Sequence, residues 1–107
     1  MFIALFIVSV AITLALFDAV LRQQYRAHRA AWQQDGSPWG FFSFTREVDF
    51  LPGCRARGTI FRQWLFRNPQ WAGADPAALR YLVLFRASSV AAVILWAIGT
   101  LRMLQLL

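Results

Sequence analysis

Two long apolar blocks, one at each end of the chain, dominate its hydropathy pattern. The first covers residues 2–21 and contains one ionisable residue, Asp18, while the second covers residues 87–107 and is interrupted by Arg102 and Gln105. At about 1.5 Å per residue, each block forms a helix of about 30 Å, which is the thickness of the hydrocarbon core of a bilayer. The pattern therefore predicts an all-α membrane protein with two transmembrane helices.

Turn and capping residues divide the chain between these blocks. Residues 22–34 contain no Gly or Pro, so the first helix is expected to continue beyond the membrane as far as the turn cluster at 35–38. Asp75 and Pro76 are suited to the cap and the first position of a second helix. We therefore predict an antiparallel hairpin with a first span and extension at 1–34, a loop at 35–75, and a lead-in and second span at 76–107.

The predicted loop is rich in aromatic residues and arginines. Residues 59–68 form a short amphipathic pattern, which predicts a helix lying on the inner leaflet with its arginines toward anionic lipid. Packing of the aromatic stretches against the helix extensions, as a small core, is an equally weighted alternative. The predicted membrane-interface residues are Trp39, Phe41, Phe42, Ile60, Phe61, Arg62, Trp64, Leu65 and Arg67.

The charge distribution predicts the topology. Eleven arginines and five acids give a net charge of +6, and ten of these arginines lie between Arg22 and Arg86. By the positive-inside rule, the loop is expected in the cytoplasm and both termini on the outer side. The use of Arg in place of Lys, together with many Ala residues, indicates a bacterium with a GC-rich genome, so the predicted location is the bacterial inner membrane.

Small side chains predict how the two helices pair, because transmembrane helices associate through close packing rather than through hydrophobicity. Asp18 lies near the inner boundary of the membrane and is expected to form an ion pair with Arg22, shared with Arg86 or with the hydroxyl groups of Ser88 and Ser89. A proton-handling role for Asp18 is the less favoured alternative. The predicted seams are Ala4, Val8, Ala11, Ala15, Asp18 and Arg22 in the first span, and Ser88, Ala92, Leu95 and Gly99 in the second.

The residues suited to catalysis or metal binding are few. A single His and a single Cys argue against a zinc site of the usual Cys and His type and against a disulfide framework. His28 and Cys54 are expected to be an ordinary exposed or packed histidine and a reduced cysteine. We therefore predict a protein without enzymatic activity and without a metal or cofactor. The arginines are dispersed among tryptophans at both membrane borders, which favours lipid and not nucleic acid as the partner.

Several short motifs resemble a family of small bacterial membrane proteins. Gly40-Phe41-Phe42, Trp64-Leu65-Phe66 and then Asp75, Arg80 and Arg86 are spaced as in the universal stress protein B family, over most of the chain. The resemblance implies an inner-membrane protein of the general stress response, associated with tolerance of membrane-perturbing agents. It implies no catalytic residues.

Three hypotheses for function follow. The leading one is a non-enzymatic inner-membrane protein that binds the anionic inner leaflet, together with a membrane-protein partner or a second copy of itself. The alternative is an accessory or assembly subunit of a larger respiratory or photosynthetic membrane complex. A pore formed by oligomers is the least favoured, because the polar residues of the spans do not form a continuous stripe.

Overall fold

The computed structural model describes residues 2–42 and 50–106, so part of the predicted loop, residues 43–49, lies outside the described residues. The described residues form helices and turns, without a strand. Two of the helices are long and apolar enough to cross a membrane. These features confirm the predicted all-α hairpin. The elements are α1 (Phe2–Ala27), α2 (Arg29–Gln34), α3 (Phe50–Phe66), a short 3₁₀ helix (Gln70–Ala74) and α4 (Pro76–Leu106).

The first long helix ends close to the predicted turn. α1 breaks at His28, whose backbone leaves the helical region (φ −134°, ψ 51°), and α2 continues for six residues. Gly36 and Ser37 then have positive φ angles of 89° and 54°, in the left-handed region that ends many helices. The chain can therefore reverse here and return toward α1.

The second long helix begins at the predicted cap. A side-chain oxygen of Asp75 accepts a hydrogen bond from the backbone amide of Ala78 (3.2 Å). Pro76 occupies the first helical position, where a missing N–H group costs little because that group has no partner within the helix. The start of α4 could therefore be predicted from local chemistry.

α1 and α4 pack as antiparallel neighbours. At the end near the termini, Gly99 faces Phe2; midway, the hydroxyl groups of Thr13 and Ser88 are hydrogen-bonded (2.9 Å). At the opposite end, Gln23 reaches Asp75. The molecule measures 51 × 30 × 18 Å, and its long dimension exceeds the roughly 30 Å hydrocarbon thickness. A hairpin spanning a bilayer would therefore project beyond the hydrocarbon layer.

The face of α1 that meets α4 differs from the predicted seam. On α4, Ala92 is buried as predicted, and Ser88, Leu95 and Gly99 are partly buried. On α1 the prediction is wrong over most of its length, because the small residues Ala4, Val8, Ala11 and Ala15 are exposed. The face of α1 that packs on α4 also borders an aromatic core. Larger side chains occupy this face because they bury more apolar area than alanine does. The buried residues of this face are Thr13, Phe17, Asp18, Val20, Leu21 and Gln24.

α3 is longer than the predicted helix at 59–68. It begins nine residues earlier, at Phe50, and includes Pro52 and Gly53. A proline is tolerated there because the first four N–H groups of a helix have no intrahelical partner. Gly53 is needed because a Cβ atom at this position would lie 2.5 Å from Cδ1 of Trp39. The Trp39 amide also donates to the Gly53 carbonyl (3.0 Å), so the turn before α3 packs directly on its first turns.

Candidate functional site

An aromatic cluster joins the hairpin to the segment between its helices, residues 28–75, which we call the inter-helix segment. Phe17 of α1 is fully buried at its centre. Its ring centroid lies 5.5 Å from that of Phe41, 5.2 Å from that of Phe61 and 5.1 Å from that of Trp64. Phe85 of α4 completes the cluster at 5.9 Å. Aromatic pairs at these separations each stabilise a fold by about 0.5–1.5 kcal/mol beyond their area burial, so this cluster fixes α3 against both long helices.

The apolar side of α3 faces the protein. Ile60 and Trp64 are only 3% and 2% exposed, and Phe61 and Leu65 pack against the same core. The expectation that Ile60 and Trp64 lie in the lipid interface is therefore wrong, and the small-core alternative describes their position, because the hairpin supplies bulky partners such as Phe17. Phe61 and Leu65 are partly buried against the same core. Arg62 and Arg67 are exposed.

The Asp18 carboxylate holds the turn that precedes α3. It is 1% exposed and accepts two hydrogen bonds from the backbone, one from the Phe41 amide (2.7 Å) and one from the Phe42 amide (2.6 Å). The predicted ion pair with Arg22 is wrong, because Arg22 is exposed and, among the described residues, Asp18 has no cationic partner. Hydrogen bonds to an ionised acceptor are strong, and here both oxygens are satisfied by amides that would otherwise be unpaired.

Arg86 and the serines of α4 also have partners other than Asp18. The Arg86 Nε atom donates to the Trp64 carbonyl (2.9 Å) in the last turn of α3. Ser88 and Ser89 both donate to the Phe85 carbonyl of their own helix. A cation near the carboxyl end of a helix interacts favourably with the helix dipole. Arg86 therefore anchors the end of α3 to α4 instead of sharing an ion pair.

A polar cluster lies around Asp75, at the end of the hairpin away from the chain termini. One oxygen of Asp75 accepts hydrogen bonds from Gln23 (2.9 Å) and contacts the His28 Nε2 atom at 3.0 Å, while the other caps α4. The hydrogen bond from Gln23, with smaller effects from His28 and from the Ala78 amide, holds the pKa of Asp75 below its ordinary value despite burial. His28 also packs on Trp71, with ring centroids 4.9 Å apart. The histidine therefore links α1 to the cap of α4.

Some residues of the inter-helix segment expose large apolar side chains instead of burying them. Phe42, Phe50, Leu51 and Phe66 are 61–83% exposed, whereas Trp39 is partly buried against Phe50 at 5.5 Å. Phe42 donates its own backbone amide to Asp18, and Phe66 ends α3 two residues after Trp64. Both therefore lie near the level of Phe17, where the ionisable-free stretch of the first span ends.

The described residues offer little for metal or nucleophilic chemistry. Within residues 2–42 and 50–106, no group of three His, Cys, Asp or Glu residues is placed to hold a metal ion. Cys54 is partly buried in α3 and forms no disulfide. The contact of His28 with Asp75 involves the carboxylate oxygen that does not cap α4. The contacts of Phe17, Asp18 and Arg86 hold the inter-helix segment against the hairpin.

Comparison with protein-family models, with curated proteins and with solved structures gives no match for this chain.

Proposed function

We propose that this chain is a non-enzymatic protein of the bacterial inner membrane, in which α1 and α4 span the bilayer and the inter-helix segment lies on the cytoplasmic leaflet. Its role in this proposal is to present a basic, partly apolar surface to anionic lipid at the membrane border. The surface consists of the exposed residues Phe42, Phe50, Leu51, Arg62, Phe66 and Arg67, which we call the border surface.

The position of Phe66 is the main support for this proposal. Its side chain is 83% exposed although it ends a helix whose opposite face is well buried. The Trp64 carbonyl is bonded to Arg86, and the Trp64 ring touches Phe17, so Phe66 is held near the end of the first span. An exposed aromatic side chain at this level is favourable in the interfacial region of a bilayer, where aromatic residues are enriched.

Charge supports the proposed orientation. Ten of the eleven arginines lie in residues 22–86, so the opposite orientation would place nearly all of them outside. Each arginine near an anionic leaflet contributes about 1 kcal/mol of attraction. The exposed arginines of α3 thus favour the same leaflet as the positive-inside rule.

Depth measurements on spin-labelled full-length protein test this placement. In a Cys54→Ser background, single cysteines at Phe66 and at Gly73 would carry a nitroxide label in vesicles containing anionic lipid. Gly73 is a suitable control because it is exposed and has open space around a Cβ atom. We expect the Phe66 label to be relaxed mainly by lipid-soluble oxygen and the Gly73 label mainly by a water-soluble nickel complex. Equal accessibility of the two labels to the nickel complex would contradict the proposal.

A second candidate function is that of an accessory subunit in a larger membrane assembly. The observation that favours it is the outer face of α1, where Ala4, Val8, Ala11 and Ala15 are exposed and take no part in the hairpin. Small residues at such spacing allow close approach of another transmembrane helix. Purification in mild detergent should then recover larger subunits in fixed ratio. Recovery of the chain alone, or only with copies of itself, would count against it.

The resemblance to the universal stress protein B family adds a physiological proposal, a role in tolerance of membrane stress. Growth of the host with and without the chain, in the presence of ethanol, tests it. Equal growth of the two strains would remove this role without affecting the proposed placement of the border surface.

A further inference from the structure

We infer that the C-terminal end of α3 carries a binding site for one phosphodiester headgroup of an anionic phospholipid, held by Arg62 and Arg67. This inference rests on the proposed function, because it assigns a specific lipid site to the border surface. The observation behind it is a shallow depression of about 400 Å³ lined by Thr59, Arg62, Gln63, Phe66 and Arg67.

The lining of this depression supplies donors suited to a phosphate. Two guanidinium groups can each present paired N–H donors to phosphate oxygens, and the Gln63 amide adds a neutral donor, whereas the Thr59 hydroxyl already donates to the Arg55 carbonyl (3.4 Å). Among the described residues, no carboxylate lines the depression, and neither Arg62 nor Arg67 has an acidic partner. No acid of this part of the chain therefore competes with an anion for the two guanidinium groups.

The end of a helix carries a partial negative charge, which would oppose an anion at this place. Here that charge is partly offset, because Arg86 donates to the Trp64 carbonyl and the Arg67 amide donates to the Gln63 carbonyl (2.8 Å). The Gln63 and Trp64 carbonyls are thus paired, and the two guanidinium groups of the depression bring two positive charges to the same end of α3.

The neighbouring aromatic residue favours a lipid over a free phosphate ion. Phe66 forms one wall of the depression and is highly exposed, so an apolar side chain stands directly beside the two arginines. A phospholipid presents the same two chemistries in the same order, a charged headgroup above apolar chains. A soluble phosphate would gain nothing from Phe66.

Lipid retention by the full-length protein tests the inference. The protein would be reconstituted in nanodiscs of phosphatidylglycerol and phosphatidylcholine, and lipids that remain bound after release would be identified by native mass spectrometry. The test variant is Arg62→Gln with Arg67→Gln. The matched control is Arg26→Gln with Arg55→Gln, which removes the same charge from exposed arginines outside the depression.

We expect the wild type and the control to retain one phosphatidylglycerol, and the test variant to retain it about 100-fold more weakly, because two charge-assisted contacts with the phosphate are lost. An equal loss in control and test variant would show that attraction is diffuse and would overturn the site. Displacement of the lipid by millimolar inorganic phosphate, with equal affinity of the protein for phosphate alone, would identify a soluble-anion site and overturn the lipid assignment.

The spin label at residue 66 separates failure of this inference from failure of the proposed function. If the label lies in the bilayer while the test variant retains lipid like the wild type, the proposed placement of the border surface is supported and the proposed headgroup site is wrong. If the label is in water, the border surface is wrong, and the lipid site is overturned with it.

Discussion

Asp18 is the residue whose chemistry changes most between sequence and structure. Its spacing of four from Arg22 is typical of a helical ion pair. The structure instead uses both carboxylate oxygens to bind amides 23 and 24 residues further along the chain. A partner so distant in sequence leaves no local pattern, so no periodicity rule could have found it. By contrast, the cap at Asp75 depends on residues three positions apart, and the sequence predicts it correctly.

Replacing Asp18 tests this assignment. Asp18→Ala removes two charge-assisted hydrogen bonds and leaves two amides without partners, so we expect the free energy of unfolding to fall by about 3 kcal/mol. Unfolding in mixed micelles with increasing dodecyl sulfate measures it. Arg22→Ala is the control and should change stability by less than about 0.5 kcal/mol, since Arg22 is exposed. Similar losses in both variants would instead indicate the ion pair.

Asp75 makes stability depend on pH in a defined direction. Its pKa in the folded protein is below the ordinary 3.8, so its contribution is complete above that value and is lost as pH falls through the folded pKa. Asp75→Asn preserves a capping side chain but removes the titration. Thermal unfolding between about pH 6 and pH 3 should show a steeper loss for the wild type than for the variant. Parallel curves would contradict this role of Asp75.

At the scale of elements, α3 shows how a local rule can mislead. Pro52 and Gly53 are usually turn residues, which favours a helix starting after them. They fall in the first turns of α3, where the proline breaks no hydrogen bond and the glycine admits the Trp39 ring. The close contact with Trp39 is a tertiary effect, so the start of this helix could not be predicted from local chemistry.

Two glycines of α3 provide a matched test. Gly53→Ala places a Cβ atom against Trp39 and should lower stability by about 1–3 kcal/mol through overpacking. Gly58→Ala introduces the same atom into open space within the same helix and should raise stability by up to about 1 kcal/mol, through helix propensity. Detergent unfolding of both variants measures these changes. A gain or no change for Gly53→Ala would show that Trp39 does not pack there.

The seam between α1 and α4 can be tested in the same way. Ala92 is buried at the interface, so Ala92→Leu should cost about 1–3 kcal/mol. Ala11 is exposed on the outer face of α1, and Ala11→Leu should have little effect on unfolding of the isolated chain. A larger loss of stability for Ala11→Leu than for Ala92→Leu would support the predicted seam of small residues on α1. The prediction for α1 was wrong because the spacing of small residues identifies a common face of the helix but not the partner of that face.

At the scale of the whole molecule, the hairpin and the inter-helix segment form a continuous structure. The aromatic cluster around Phe17 and the Arg86 contact hold α3 against both long helices, and the Asp18 hydrogen bonds hold the backbone at Phe41 and Phe42. The two-helix hairpin could be predicted because long apolar blocks and capping residues are local features. The inward orientation of α3 could not, because its apolar side suits a protein core and a lipid surface equally well.

In the proposed topology, both long helices cross the membrane and residues 28–75 lie on the cytoplasmic side. Single cysteines at Gly73 and at Leu107, in a Cys54→Ser background, test this topology through labelling with a membrane-impermeant maleimide. In intact spheroplasts we expect labelling at 107 only, and in inside-out vesicles we expect labelling at 73 only. Labelling of both positions from the same side would contradict it.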